Sequence, residues 1–309
     1  MITWVIGANG LIGNAISRRC QAIPSGTIFT PMPIPWGDPM RAQSDLMSHT
    51  MSFTKAAGAG DWAIIWAAGS ATVSSSIASA TPELAALNAV VNTLRSSPPA
   101  GRGIFFLTSS AGGVYSGSTG APFTRETPVR PLSPYGEIKV QQEQSAQSAL
   151  AGICTLVIGR LSNVYGPGQN LGKLQGLISR LALATATRQP INIFVSLDTL
   201  RDYIFVDDAA KQIVALMDSA RNSTTSEMCH IRVVASGESV TLGQVIRTME
   251  LVTKRRVPVA LGSHPSSASQ VLDLRLLPSE PIFPGTSLPI GTKMVYHEIL
   301  RRLQQPSDN

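Results

Sequence analysis

The sequence predicts an α/β protein, a doubly wound parallel sheet followed by a smaller C-terminal α/β part. Three observations carry that expectation. Short apolar runs alternate with helix-patterned segments from the first residues onward. The runs are continuously apolar rather than alternating, as strands covered on both faces require. A glycine-rich turn, residues 7–13, joins the first run to the first helical pattern.

The elements follow in order. Residues 2–6 read as a buried strand and 11–20 as a helix. Residues 27–30 form a second strand, and the prolines after it (Pro31, Pro33, Pro35, Pro39) confine the chain to loop, because proline fixes φ and lacks an N–H. Residues 63–67 and 104–108 are further buried strands, bridged by a crossover helix over 82–95. Ser133 is placed as the N-cap and Pro134 as the first residue of a glutamine-rich helix over 134–150. Residues 153–158 return to the sheet. Beyond about 160 the rhythm loosens at Gly166-Pro167-Gly168, with helices near 174–184 and 292–303 and another helix and strand set from Val206 onward. The expected division is 1–160 and 161–309, with some segments of the second part returning to the first.

Composition narrows the class. The chain has 309 residues, 43% of them hydrophobic and 14% charged, which reads as a compact core rather than a disordered chain. No apolar run approaches the ~20 residues of a spanning helix, and no basic leader precedes the first strand, so a soluble cytoplasmic protein without membrane contact is expected. Cys20, Cys154 and Cys229 are too few and too scattered for a disulfide framework or a CxxC site. His49, His230, His264 and His297 lack ligand spacing, so no metal is expected. The net charge of +6 favours an anionic partner, but the basic residues are dispersed, against nucleic acid.

Three segments carry chemistry. Gly7-Ala8-Asn9-Gly10-Leu11-Ile12-Gly13 lies directly between strand and helix, where glycines let the backbone approach a pyrophosphate and the helix N-terminus favours its charge. The cofactor is therefore NAD or NADP in a Rossmann-type domain, 1–160. The choice stays open, because Ile28-Phe29-Thr30 brings no ribose-binding acid, and Arg18 and Arg19 read as solvated helix residues. Tyr135 and Lys139 stand four apart on one helix face. A neighbouring ammonium, a cationic nicotinamide and the helix N-terminus all favour a phenolate, which suits Tyr135 as acid and base at a carbonyl or alcohol. Thr108-Ser109-Ser110 places hydroxyls just past an apolar strand, at the edge where open α/β sheets bind ligands. Ser110, or else Ser109, polarises the reacting oxygen.

Together these segments resemble the extended short-chain dehydrogenase/reductases, especially the NAD-dependent epimerase/dehydratase family with its UDP-galactose 4-epimerase-like members. Ser44-Asp45-Leu46 is similar to the family segment that contacts adenine, and the strand ending in Ala67-Ala68 to its cofactor-lining alanine pair. Arg160 to Gln169, including Asn163, is similar to the segment that holds the sugar nucleotide, and Arg201-Asp202-Tyr203 to the one that grips the pyrophosphate. The resemblance implies catalysis by Tyr135, Lys139 and Ser110, cofactor contacts from Gly7, Asn9, Gly10, Leu11, Ile12, Gly13, Asp45, Leu46, Ala67, Ala68, Tyr135 and Lys139, and substrate contacts from Ser110, Asn163 and Arg201. It implies a nucleoside-diphosphate sugar as substrate, epimerised or reduced by hydride transfer, and a homodimer through the helices holding 84–94 and 135–150. The alternatives are a reductase of non-nucleotide carbonyls and a dinucleotide-binding regulator without turnover.

The chain also departs from the family pattern. Ser110 lies four residues before Val114-Tyr115, where the best-known members place the hydroxyl three before. Ala111-Gly112 replaces the Asp-Glu of 4,6-dehydratases, which removes the acid and base of dehydration. No second phosphate-gripping arginine stands in 266–271, and Arg275 is out of register.

Overall fold

The computed structural model describes residues 1–24, 26–72, 75–172, 176–223, 228–262, 273–279 and 285–304. The first half alternates as the apolar runs require: β1 (Ile2–Ile6), α1 (Leu11–Gln21), β2 (Thr27–Ile28), α2 (Pro39–Ala57), β3 (Trp62–Trp66), α3 (Ile77–Ser96), β4 (Gly103–Ser110), the single turn α4 (Ala111–Val114), α5 (Pro134–Leu150) and β5 (Thr155–Leu161). There follow β6 (Asn163–Tyr165), α6 (Leu177–Thr187), β7 (Ile191–Ile193), β8 (Leu200–Phe205), α7 (Val206–Asn222), β9 (Cys229–Val234), β10 (Ser239–Thr241), α8 (Leu242–Thr253), β11 (Val259–Leu261), β12 (Asp273–Leu274) and α9 (Leu288–Gln304).

Six parallel strands make the main sheet in the order β2-β1-β3-β4-β5-β9. Side chains alternate across it. Trp62, Ile64 and Trp66 join a core with residues of α2, α3 and α5, whereas Ala63 and Ile65 join one with α1 and α7. Burial on both faces is why these strands read as continuous apolar runs. The strand order reverses at β1, with β2 on one side and β3 on the other, so a crevice opens at the carboxyl ends of β1 and β3, where such sheets bind ligands. The second part centres on β8, which pairs with β6, β10 and β12, and on a core shared by α6, α8 and α9. β9 lies in the main sheet and α7 packs on α1, so this stretch of the chain is part of the first layer structure. Among the described residues no helix is long and apolar enough to cross a membrane.

Several boundaries differ from the sequence expectation. α3 begins at Ile77, capped by Ser76, so Pro82 lies inside the helix rather than at its start. α6 begins at Leu177 rather than near 174, and Leu174 itself falls outside the described residues. The largest difference is α2, a helix of 19 residues where no element was expected. Asp38 caps it by accepting from the Arg41 N–H, and Pro39 takes the first position, where its missing N–H leaves no bond unmade. Its inner face brings Phe53 against Trp4, Phe29 and Trp62, with ring centroids 5.8, 5.3 and 6.1 Å apart. Leu46 is wholly buried in the same core. Leu46→Ala is expected to lower unfolding free energy in urea by about 2–5 kcal/mol, as for buried leucines generally. A loss under about 0.5 kcal/mol, the range of surface substitutions, would contradict its placement.

Candidate active site

The crevice is a cleft of about 650 Å³. Its wall includes Asn9, Gly10, Leu11 and Ile12 from the turn into α1, Ala67 and Ala68 after β3, Ser109 and Ser110 at the end of β4, Tyr135 and Lys139 from α5, Asn163 from β6 and Arg201 from β8. One cleft thus gathers most of the residues singled out by sequence. Gly7 and Gly13 shape it from behind. Gly7 has φ +91°, and a Cβ there would lie 2.7 Å from the Ala67 carbonyl carbon; one on Gly13 would lie 2.1 Å from the Gly7 oxygen. Only glycine permits so close a crossing of turn, helix and β3. The N-cap of α1 is Gly10, which offers no side-chain acceptor, so the N–H groups of the first turn are left for a ligand. An uncapped helix start with no Cβ in the way fits a dinucleotide pyrophosphate. Asp45 and Leu46 do not line this cleft. They lie on α2, with Leu46 in the core and Asp45 facing Arg41 at 3.9 Å. Arg18 pairs with Asp207 at 2.7 Å.

Ser133 caps α5 through the Gly136 N–H at 3.2 Å, as expected. The first turn of α5 then rests on α4, because a Cβ on Gly136 would stand 2.4 Å from the Gly113 oxygen and one on Gly113 would stand 3.0 Å from Tyr135 Cε1. Tyr135 is seated against backbone. The neighbouring serines are distinguished by their bonds. Ser109 donates its proton to Glu143 Oε1 at 2.5 Å. Ser110 accepts from the Gly113 N–H at 3.2 Å and caps α4, which leaves its own proton for the cleft. Lys139 Nζ lies 5.7 Å from the centre of the Tyr135 ring.

Beneath these residues runs a polar network that the sequence reading missed. Arg160 on β5 donates to both carboxylate oxygens of Glu143, at 3.1 and 2.7 Å, and to the Tyr115 hydroxyl at 2.8 Å. Tyr115 in turn donates to the Thr124 carbonyl. The two charged side chains are 6% and 5% exposed, so water screens them little. Burial works against the Arg160 charge, but the bonded carboxylate beside it keeps the guanidinium above its ordinary value. Burial likewise raises the Tyr115 phenol, against the opposing pull of Arg160. Glu143 lies four residues beyond Lys139, a spacing that could have flagged it on the same helix face.

On the far wall, Asn163 donates to the Asp202 carbonyl at 2.8 Å and so is tied across the β6–β8 pair. Asp202 itself is wholly buried; burial raises its carboxyl, and bonds from Ser236 and Gly237 partly offset this. Arg201 donates to the Leu200 carbonyl and, among the described residues, forms no ion pair. Burial lowers its value, but a guanidinium stays charged in proteins, so a cation stands in the wall ready for an anion. Tyr203 beside it is pushed up to about 12 by burial. Arg275 is bound to Asp273 and does not line the cleft, while residues 266–271 lie outside the described residues. The one carboxylate among the described wall residues is Glu83, which accepts from the Ser70 and Ala71 N–H groups. Arg160→Met, which leaves Glu143 buried and unpaired, is expected to destabilise the fold by about 3–5 kcal/mol in urea unfolding. A loss below about 1 kcal/mol, typical of exposed pairs, would contradict the burial of the network.

The chain is similar to known proteins in sequence and in fold. The chain is 28% identical over 170 residues to the dTDP-4-dehydro-6-deoxyglucose reductase of Escherichia coli, a match covering 54% of this chain and 52% of that one. It is 32% identical over 122 residues to the dTDP-L-rhamnose 4-epimerase of Burkholderia thailandensis, covering 36% and 34%. The chain thus spans about half or less of the length of these curated relatives. In structure it is similar to the Thermus thermophilus UDP-glucose 4-epimerase complex with NAD, with a TM-score of 0.78 and 19% identity over 97% of this chain and 99% of that one, a likeness of fold. The model of the NAD dependent epimerase/dehydratase family matches residues 3–231, which takes in the glycine turn, the serine strand, Tyr135, Lys139, Asn163 and Arg201: the chain belongs to that family.

Proposed function

We propose that the chain is an enzyme that binds NAD in this cleft and epimerises or reduces a nucleoside-diphosphate sugar at a secondary alcohol or ketone. The observation that carries the reading is the convergence of four features on one cleft: the uncapped start of α1, the Tyr135 and Lys139 pair, the Ser110 hydroxyl, and the Arg201 guanidinium, which has no ion pair among the described residues. The names of the dTDP-sugar relatives, and of the similar fold in complex with NAD, support the same substrate and cofactor classes.

When bound, the cofactor supplies the donor and acceptor of hydride. The N–H groups of the first turn of α1 hold its pyrophosphate, with Ala67 and Ala68 along its length. Lys139 holds the nicotinamide ribose. Tyr135 takes the proton from a sugar hydroxyl as it is oxidised and returns one to the ketone oxygen as it is reduced. Ser110 donates its remaining hydrogen bond to that same oxygen, stabilising the charge that develops on it. Arg201 takes the diphosphate of the substrate, and Asn163 stands beside the nucleotide. A non-nucleotide carbonyl would leave the charge of Arg201 unused. Loss of water from the sugar is not part of the proposal, because Ala111 and Gly112 follow Ser110 and the Oε1 of Glu83 is already held by backbone.

Two substitutions test the reading. Tyr135→Phe is expected to lower turnover at least about 100-fold, the lower end for losing an acid-base group, with NAD affinity kept. Near-normal turnover in the purified variant would remove the role. Arg201→Ala is expected to weaken sugar-nucleotide binding by about 1.5–3 kcal/mol in calorimetry while NAD affinity stays constant. Unchanged affinity for every sugar nucleotide that binds would exclude the diphosphate contact.

A further inference from the structure

We propose that Gln142 is a positioning residue for Lys139, holding its ammonium at the cleft beside Tyr135. Gln142 is wholly buried on α5, three residues beyond the lysine, and Lys139 Nζ donates to its Oε1 at 3.0 Å. An ammonium only donates, so the amide must turn its oxygen towards it. The consequence is visible on the other side of the amide. Its Nε2 is buried without a hydrogen-bond partner among the described residues. A buried amide left half satisfied is unfavourable, and an apolar side chain of similar size would avoid that penalty. What the glutamine contributes is its one satisfied contact, an acceptor at a fixed place for the lysine.

The lysine needs such a contact. Its stem is long and flexible, its side chain is buried, and among the described residues it forms no ion pair. With one donor on Gln142, the remaining donors are left for the cleft that Lys139 lines. A neutral amide also fixes the ammonium without placing a carboxylate against it. The inference rests on the reading of Tyr135 and Lys139 as a working pair, but the contact itself can be tested without turnover.

The test compares wild type, Gln142→Met and Gln142→Glu in two ways. The first is the rate at which Lys139 is reductively methylated in the folded protein without cofactor, read by peptide mass spectrometry. The second is kcat and KM for a sugar nucleotide. Gln142→Met, similar in size but without the acceptor, is expected to be methylated about tenfold faster at Lys139 and to lose about tenfold in kcat with KM unchanged, the lower end for a hydrogen bond to a charged group. Gln142→Glu, which keeps an acceptor at the same reach, is expected to be methylated more slowly than wild type. A purely structural glutamine would lower the unfolding midpoint of Gln142→Met with labelling and kcat as in wild type, and that result overturns the proposal. If Gln142→Met does not fold, Gln142→Glu decides alone, since labelling as fast as wild type or faster overturns it. If no sugar nucleotide is turned over, the functional reading falls while the labelling rates still decide the role of Gln142.

Discussion

The arrangement of the cleft depends on one buried ion pair, Arg160 with Glu143. Two charges withdrawn from water are tolerated only when they meet in good geometry and their remaining bonding sites are filled. Here the guanidinium reaches both carboxylate oxygens and the Tyr115 hydroxyl, and the carboxylate also takes the Ser109 proton. Four segments are thereby fixed to one another: the ends of β4 and β5, the turn after α4, and the middle of α5. Tyr135 and Lys139 lie eight and four residues before Glu143, on the same face of its helix. Wherever the pair sets Glu143, it sets them too.

The same network sorts the two serines. Successive strand residues point to opposite sides, so only one of Ser109 and Ser110 can face the α5 carboxylate. Ser109 is spent on structure, and Ser110, bound among the described residues as an acceptor from Gly113, keeps a proton to give. Glycines complete the approach. Gly113 and Gly136 let the backbones of α4 and α5 touch, and Gly7 and Gly13 do the same for the turn, α1 and β3. Side chains at these crossings would hold apart the hydroxyl, the tyrosine and the anion-binding helix start that the proposed chemistry needs within one cleft.

What was legible in the sequence follows from which signals are local. Ser133 and Pro134 mark the start of α5 because cap chemistry is written in adjacent residues, and the helix runs over the expected 134–150. The glycine turn placed the cleft for the same reason. α2 was missed although Asp38-Pro39 is an equally local start signal. Its buried positions, Ala42, Leu46, Thr50, Phe53 and Ala57, are diluted by Met40, Met47 and Met51 on the exposed side, so no clean apolar face stands out. That helix also carries Asp45 and Leu46, which the resemblance set among the adenine contacts and which do not line the cleft. The seam of Lys139, Gln142 and Glu143 was illegible for another reason. Periodicity reports polar residues as solvent-facing, and their burial arises from the long-range packing of α5 on α3, β4 and β5.

The central claim is that one cleft holds a dinucleotide and a sugar nucleotide together, with Tyr135 and Ser110 sharing the reacting oxygen. A crystal structure of the protein with NAD and a UDP- or dTDP-sugar tests it most directly. The account predicts the cofactor pyrophosphate on the N–H groups of Leu11 and Ile12, the sugar diphosphate on Arg201, and one sugar oxygen within about 2.6–3.2 Å of both the Tyr135 and Ser110 hydroxyls. A sugar nucleotide bound with its diphosphate away from Arg201, or with no sugar oxygen in reach of Tyr135, would contradict it.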